Sequence, residues 1–191
     1  GDLQVIPTPY LLFLGDAPDQ LSAKVAQGIK DWRPENAVGQ IRMPGCNADL
    51  GLEDLTLEQA YEKGARTMVI GVANRGGYIS EAWKAMLIKA LSTGFDLASG
   101  LHNLLRDEPD LVAHAKQCGR LLHDVRVPTV EYPIANGKKR RGKRCLAVGT
   151  DCSAGKMYTA MAIDKLMQDR GMKSTFRATG QTCLLYTSPS P

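Results

Sequence analysis

Cysteine is scarce and long apolar runs are missing from this sequence, and each absence excludes a class of protein. The five cysteines are scattered over 191 residues without a Cys-x-x-Cys pair. This pattern argues against a disulfide framework or a zinc site and favours reduced thiols in a cytoplasmic protein. No apolar run reaches the roughly 20 residues that span a membrane. We therefore expect a cytoplasmic protein that holds no metal and does not enter a membrane.

A strong excess of basic residues is also missing, since the formal net charge is only +4. The run Lys138–Arg144 is basic, but no aromatic residues interleave with its charges to stack on single-stranded bases. A solvated connector is therefore favoured over a nuclear signal or nucleic-acid patch. A third alternative is that its charges attract a phosphorylated ligand to the loop that follows. We expect a small-molecule substrate and no nucleic-acid partner, with a homo-oligomer left open.

Strand-like and helix-like segments alternate along residues 1–132. Tyr10–Leu14 is a short apolar run that suits a buried parallel strand, and Thr67–Val72 is the clearest strand. Further strands are expected at Ala37–Arg42, at Phe95–Ala98 and within the mixed segment Arg120–Val127. The segments with helical spacing are Ser22–Trp32, Thr56–Lys63, Ser80–Leu91 and Asp110–Gln117. Ser22, Thr56 and Ser80 are the expected N-caps, and Gln59 completes a capping box with Thr56. This alternation predicts an α/β fold with an open parallel sheet and helices on both faces.

A second α/β unit is predicted to follow a basic linker at residues 133–144. Within residues 145–182 we expect a strand at Cys145–Val148, a helix at Lys156–Arg170 and a second strand at Lys173–Ala178. A complete domain of this type needs more strands, so we expect this unit to be truncated. Residues 183–191 resemble translated sequencing adapter and are expected to be a non-native tail; a genuine disordered Ser/Pro tail is the alternative.

The segment Gly149–Met157 has the pattern of a phosphate-binding loop and is called the phosphate loop below. A glycine-rich turn from a strand into a helix directs several N–H groups at one anion, and the helix dipole adds partial positive charge. Lys156 then supplies an ammonium group for the phosphate oxygens. The residues expected to bind a phosphate or cofactor are Gly149, Thr150, Asp151, Cys152, Ser153, Ala154, Gly155, Lys156, Met157 and Tyr158.

The phosphate loop departs from the common P-loop in two ways. Five residues separate Gly149 from Gly155, where four are usual, and Met157 stands where a Ser or Thr normally binds Mg²⁺. Thr159 comes two positions later and should point elsewhere on the helix. The pattern therefore favours phosphate binding more than Mg·ATP hydrolysis.

Two residues inside the phosphate loop have chemistry of their own. Asp151 is a catalytic candidate that could orient a substrate or a cation, or only cap the turn through local hydrogen bonds. Cys152 lies near a helix N-terminus, which favours a thiolate. No histidine is close to it in sequence, so a structural role in the loop is favoured over a nucleophilic one.

Further candidate residues follow the predicted strands, because ligands of open α/β sheets bind beyond the carboxyl ends of the strands. Asp16 and Asn74 occupy such positions, and Arg75 could clamp a carboxylate or belong to a solvated turn. His102 is a candidate base for an amine proton, with a capping or surface role as the alternative. His114 and His123 are expected to be structural.

The phosphate loop with Tyr158–Ala160, together with Ala178–Thr182, resembles the DUF1611 family. Leu14–Asp16 and Gly71–Gly77 also fit it, so the resemblance covers Leu11 to Thr182. The family implies a Rossmann-like N-terminal domain followed by a P-loop NTPase-like α/β domain. It also places Gln181 among the candidate substrate-binding residues.

A branch of this family consists of D-glutamate N-acetyltransferases, so the resemblance implies acetyl transfer from acetyl-CoA to the amine of a D-amino acid. The spacing of the phosphate loop is also similar to that of dethiobiotin synthetase, which leaves an ATP-dependent ligase or kinase-like enzyme using Mg²⁺ as an alternative. A non-catalytic nucleotide-binding protein is a third hypothesis. No catalytic residue is implied by the resemblance, and we expect the 191-residue chain by itself to be inactive and poorly stable.

Overall fold

Five short segments of the chain form one parallel sheet. The structure is a computed structural model that describes residues 6–73, 78–127, 142–150 and 155–177. The strands are β1 (Tyr10–Gly15), β2 (Ala37–Arg42), β3 (Thr67–Ile70), β4 (Asp96–Ser99) and β5 (Leu122–Asp124). Their order in the sheet is β2-β1-β3-β4-β5, and all four neighbouring pairs are parallel. All five predicted strands of the first unit are therefore confirmed.

Burial follows the position of each strand in the sheet. Every residue of β1, β3 and β4 is buried, whereas the edge strands β2 and β5 are partly exposed. Strands covered on both faces need continuous apolar runs instead of alternation. This is why the near-continuous apolar character of Tyr10–Leu14 and Thr67–Ile70 predicted central strands correctly.

Four helices connect these strands: α1 (Lys24–Trp32), α2 (Leu57–Glu62), α3 (Glu81–Thr93) and α4 (Pro109–Cys118). Thr56 and Gln59 form the predicted capping box before α2. Ser80 caps α3 by accepting the Trp83 N–H, and Gly94 ends this helix at a φ of 115°. The local signals for these two helices are confirmed.

The predicted cap of α1 is wrong. A short 3-10 helix at Leu21–Ala23 precedes α1, and Ser22 lies inside it. The Asp19 carboxylate accepts hydrogen bonds from both the backbone N–H and the hydroxyl of Ser22. Asp19 therefore acts as the hydrogen-bond acceptor at the start of this 3-10 helix, and Ser22 acts as the donor. Asp19 lies two residues before Leu21, and Asp is as strong a cap signal as Ser, so Asp19 supplies the acceptor here.

A buried polar cluster joins β4 to β5. The Asp96 carboxylate accepts the Leu121 N–H at 3.0 Å and lies 3.3 Å from Nε2 of His123. Both side chains are almost fully buried. Asp124, at the end of β5, accepts the backbone N–H groups of Leu105 and Arg106. His123 thus lies in the sheet as part of a strand-joining cluster.

The second unit is described over residues 142–150 and 155–177. Its helix α5 (Lys156–Asp169) confirms the predicted helix, and Gly171 follows it at a φ of 74°. The two predicted strands are wrong within these residues. Residues 145–148 and 173–177 are irregular, and the side chains of Leu146 and Val148 are 82% and 79% exposed. A strand exists only through pairing, and no described segment pairs with either one.

No helix within the described ranges combines the length and the apolarity that crossing a membrane requires.

Candidate functional site

The order of the strands defines one place where a ligand cleft is expected in the first unit. From β1 the chain moves to β2 on one side, whereas β3 and β4 continue on the other side of β1. The connections after β1 and β3 therefore diverge, and open α/β sheets bind ligands at such a switch point, beyond the carboxyl ends of the strands. The residues that follow these two strands are Asp16 and Gly71–Ala73.

A cavity of about 290 Å³ lies at this switch point. Its lining residues come from the ends of β1 and β3 and from the start of α3: Asp16, Ala17, Pro18, Ala73, Tyr78, Ser80 and Trp83. We call it the switch-point cavity. Asp16 is exposed, and its Oδ1 accepts a hydrogen bond of 2.7 Å from Nε1 of Trp83. The predicted site residue Asp16 is therefore held in place by an indole that the sequence analysis did not select.

Gly15 allows the Trp83 ring to approach β1. A Cβ atom at Gly15 would lie 2.7 Å from the ring of Trp83, and the φ of Gly15 is +52°. Phe13 meets the same ring edge to face, with centroids 5.2 Å apart. Trp83 is only 5% exposed as a result. The Trp83 ring is therefore buried, while its indole N–H donates to the Asp16 carboxylate that lines the cavity.

A second, more open cavity of about 520 Å³ lies beyond β2 and is lined in part by Arg42, Cys46 and Asp54. Its arginine is already engaged. Nε of Arg42 donates to Oδ1 of Asp54 at 2.8 Å, and its guanidinium also lies 3.6 Å from the Asp49 carboxylate. The hydrogen bond from Arg42 is the main cause of the lowered pKa of Asp54. Two carboxylates thus neutralise this cation, which makes the cavity a poor site for an anion.

We expect the Arg42→Gln variant to have a lower free energy of unfolding than the parent at neutral pH. In acid this difference should disappear. The pKa of Asp54 is depressed below 3.8 in the folded state, so its stabilisation is complete above that value and disappears as the pH falls through the folded pKa. Urea unfolding from about pH 6 to about pH 2.5 measures the difference between the two proteins.

The Arg33→Gln variant is the matched control, because Arg33 lies 3.7 Å from Glu35, whose side chain is exposed. We expect its effect on stability to be small. A difference between Arg42→Gln and the parent that stays constant over the whole pH range would contradict this account of Asp54.

Within the phosphate loop, residues 155–157 lie at the start of α5. Gly155 is the N-cap residue with a φ of 77°, and no acidic residue occupies the first turn of the helix. Lys156, Met157 and Tyr158 are half-buried there, and Gly149 and Thr150 are exposed. The backbone N–H groups of a helix N-terminus beside a lysine suit a phosphate group.

Thr159 does not replace the hydroxyl that Met157 lacks. Its Oγ1 donates to the carbonyl oxygen of Gly155 at 3.0 Å, one helical turn back. The hydroxyl is therefore bonded within the helix, in line with the prediction that it points elsewhere. No group of three or more His, Cys, Asp or Glu side chains that could hold a metal ion is present among the residues that the structure describes.

Several predicted site residues lie outside the described residues: Asn74, Arg75, Asp151, Cys152, Ser153, Ala154 and Gln181. Their roles stay predictions. His102 is described; it is exposed just after β4 and does not line the switch-point cavity. His114 bonds to the Asp110 carbonyl oxygen within α4.

The residues missed in the sequence analysis are Tyr78, Ser80 and Trp83, as parts of a site. Ser80 was identified only as a helix cap and Trp83 only as a member of an amphipathic helix. Asp16 and Trp83 are 67 positions apart, so no local pattern connects them. The contact between Asp16 and Trp83 could have been found from their places at the carboxyl edge of the sheet. Asp16 follows β1, and Trp83 lies in the first turn of α3, the helix after β3.

The fold and the two sites define a class: an α/β protein with a Rossmann-like parallel sheet followed by a P-loop unit. A family model described as a DUF1611 N-terminal Rossmann-like domain matches residues 42–128. A second model of the same family, described as its C-terminal P-loop domain, matches residues 133–190. The chain belongs to the DUF1611 family.

Two curated relatives are similar over nearly all of this chain. The D-glutamate N-acetyltransferase of Tritonibacter scottomollicae is 73% identical over 183 residues, which cover 96% of this chain and 55% of the relative. The D-glutamate N-acetyltransferase of a Pseudoalteromonas species is 42% identical over 185 residues, with 97% and 55% covered. The chain thus spans about half the length of the curated relatives it matches.

A solved structure has the same fold. The crystal structure of a DUF1611 family protein from Anabaena variabilis superposes with a TM-score of 0.80 at 29% sequence identity, over 95% of this chain and 56% of that protein.

Proposed function

We propose that the protein transfers an acetyl group from acetyl-CoA to the amine of a D-amino acid such as D-glutamate. The observation that carries this proposal is the 73% identity, over 96% of the chain, to a D-glutamate N-acetyltransferase. The protein would act on a small molecule in the cytoplasm, without a nucleic acid or a membrane as partner.

Acetyl-CoA suits the phosphate loop as a ligand because it carries a diphosphate and a 3′-phosphate that need not be cleaved. Gly155 and Lys156 would hold phosphate oxygens at the N-terminus of α5, where the first turn has no opposing acidic residue. In the reaction, the amine nitrogen attacks the thioester carbonyl, the N–C bond forms and the C–S bond breaks. The acceptor nitrogen arrives as an ammonium ion and loses two protons: one goes through a base to solvent before the attack, and one is taken up by the coenzyme A thiolate. His102 and Asp151 stay the candidates for that base.

The alternative of Mg·ATP chemistry has less support from the described residues. Met157 has no oxygen for Mg²⁺, and the Thr159 hydroxyl donates to the helix backbone. Phosphate binding does not need that hydroxyl, whereas binding of Mg²⁺ at a P-loop commonly does. The two enzymatic hypotheses therefore differ most clearly in the co-substrate that is consumed, acetyl-CoA or Mg·ATP.

The test is to offer both donors separately to a protein in which the rest of the Tritonibacter relative follows residue 182 of this chain. Acetyl-CoA or Mg·ATP with acetate is supplied together with D-glutamate, and free thiol, phosphate and N-acetylated product are measured. We expect thiol and N-acetyl-D-glutamate in equal amounts from acetyl-CoA, and no product from Mg·ATP.

Phosphate or ADP release coupled to product would instead establish the ATP-dependent enzyme. Binding of either donor without any product would support the non-catalytic hypothesis. The unmodified Tritonibacter relative is the control, since it shows that each assay detects turnover.

A further inference from the structure

The switch-point cavity has a chemistry that neither family membership nor the proposed function assigns. Among the described residues that line it, Asp16 is the acidic one, and the other polar side chains are Tyr78, Ser80 and Trp83. We propose that this cavity is the subsite for the ammonium group of the amino-acid acceptor, with Asp16 as the residue that receives it. The choice of acceptor rests on the proposed function.

The hydrogen bond between Trp83 and Asp16 orients the carboxylate without neutralising its charge. Indole is a donor without charge, and it uses Oδ1 of Asp16 at 2.7 Å. Among the described residues, Asp16 forms no ion pair. A carboxylate accepts several hydrogen bonds, so Oδ2 keeps its capacity for a cationic donor. An ammonium group is the ligand that matches such an acceptor.

The rigidity of this arrangement favours a subsite over a solvated surface carboxylate. Trp83 is 5% exposed and its ring is fixed between Phe13 and the close approach of Gly15. A donor fixed in this way holds the carboxylate before a ligand arrives, which reduces the entropy cost of binding. The volume of about 290 Å³ lies at the lower limit of the roughly 300–1,000 Å³ of sites for drug-sized ligands. A molecule of amino-acid size fits it better than a whole nucleotide.

The charge of the cavity also disfavours a phosphate as its ligand. Asp16 at the mouth would repel a phosphate group, unlike the lysine beside α5 in the second unit. In the part of the chain that the structure describes, the charged side chain at each site therefore differs: a carboxylate lines the switch-point cavity, and a lysine begins α5.

The test measures binding of D-glutamate to the 191-residue chain through the fluorescence of Trp83. Trp32→Phe is introduced throughout, so that Trp83 is the remaining indole. The comparison ligands are glutarate, which lacks the amine, and N-acetyl-D-glutamate, in which the amine is an uncharged amide. We expect D-glutamate alone to change the fluorescence, and the Asp16→Asn variant to bind it at least about tenfold more weakly.

Glu62→Gln is the matched control, because Glu62 is an exposed carboxylate on α2 that lines neither cavity. It should bind D-glutamate like the parent, and circular dichroism verifies that each variant is folded. The proposal is overturned if the parent binds no D-glutamate, if Asp16→Asn binds it equally well, or if glutarate binds as tightly. If D-glutamate binding depends on Asp16 but no acetyl transfer is observed, the proposed function is refuted and the subsite is not.

Discussion

Replacing Lys156 by alanine is expected to weaken the binding of coenzyme A by about 100-fold, because charged hydrogen bonds to phosphate contribute about 1.5–3 kcal/mol each. Lys156 is the first residue of α5, directly after Gly155 at the N-cap. The ammonium group and the positive end of the helix dipole act on the same anion, so the variant loses the stronger of two attractions. Isothermal titration of the chain with coenzyme A measures the loss.

Lys165→Ala is the control for this prediction. Lys165 lies on the same helix, its side chain is 66% exposed, and it pairs with Asp169 at 2.9 Å one turn later. Removing it takes away the same charge and should change the affinity for coenzyme A by less than about twofold. Equal losses of affinity in the two variants would show that Lys156 acts only through net charge. An unchanged affinity in Lys156→Ala would contradict the binding of coenzyme A at the phosphate loop.

Placing a methyl group on Gly71 is expected to destabilise the first unit strongly. A Cβ at Gly71 would lie 2.3 Å from Cβ of Ala26 and 3.0 Å from its Cα. The Ala26 N–H also donates to the Gly71 carbonyl oxygen at 3.1 Å, which ties α1 to the end of β3. Since backbone cannot move aside as a flexible side chain does, we expect Gly71→Ala to cost about 3 kcal/mol, at the upper end of the usual overpacking range.

A second-site variant tests the cause of that loss. Ala26→Gly removes the atom nearest to the new methyl group, at a cost of about 1 kcal/mol in helix propensity. In urea unfolding, the double variant should therefore be more stable than the sum of the two single effects predicts. Strict additivity would show that the contact between α1 and β3 is not the source. Because Ala73 lines the switch-point cavity, Gly71→Ala should also weaken ligand binding there.

The elements of the first unit could be predicted because their signals are local. The capping box of Thr56 with Gln59, the cap at Ser80 and the left-handed glycine at Gly94 each act within one or two turns of a helix. The apolar run of β1 predicted burial on both faces for the same reason. The start of α1 was misjudged, because Ser22 lies in a short 3-10 helix and donates to Asp19.

The second unit shows where local signals stop. Cys145–Val148 has the composition of a strand, but composition does not supply a neighbouring strand, and pairing is what defines one. Helix α5 needs no partner for its backbone hydrogen bonds and forms as predicted. The two segments differ because a helix forms its backbone hydrogen bonds within itself, whereas a strand forms them with a neighbouring strand.

The candidate sites divide in the same way. The phosphate loop is contiguous in sequence, so the spacing of its residues is enough to select Gly155 and Lys156 as candidates. The switch-point cavity is built from three segments, and its central contact joins Asp16 to Trp83 across 67 positions. The rule about carboxyl ends selected Asp16, but only the strand order identified β1 and β3 as the pair that forms a cleft.

The proposed reaction joins the acetyl group of acetyl-CoA to the amino nitrogen of a D-amino acid. Its most direct test uses acetyl-CoA labelled with ¹³C at the acetyl carbonyl and D-glutamate labelled with ¹⁵N, with the chain continued at residue 182 by the rest of its Tritonibacter relative. We predict a one-bond ¹³C–¹⁵N coupling in the product, which arises only from a new amide bond. A labelled carbonyl signal that remains uncoupled, while coenzyme A is released, would contradict the account.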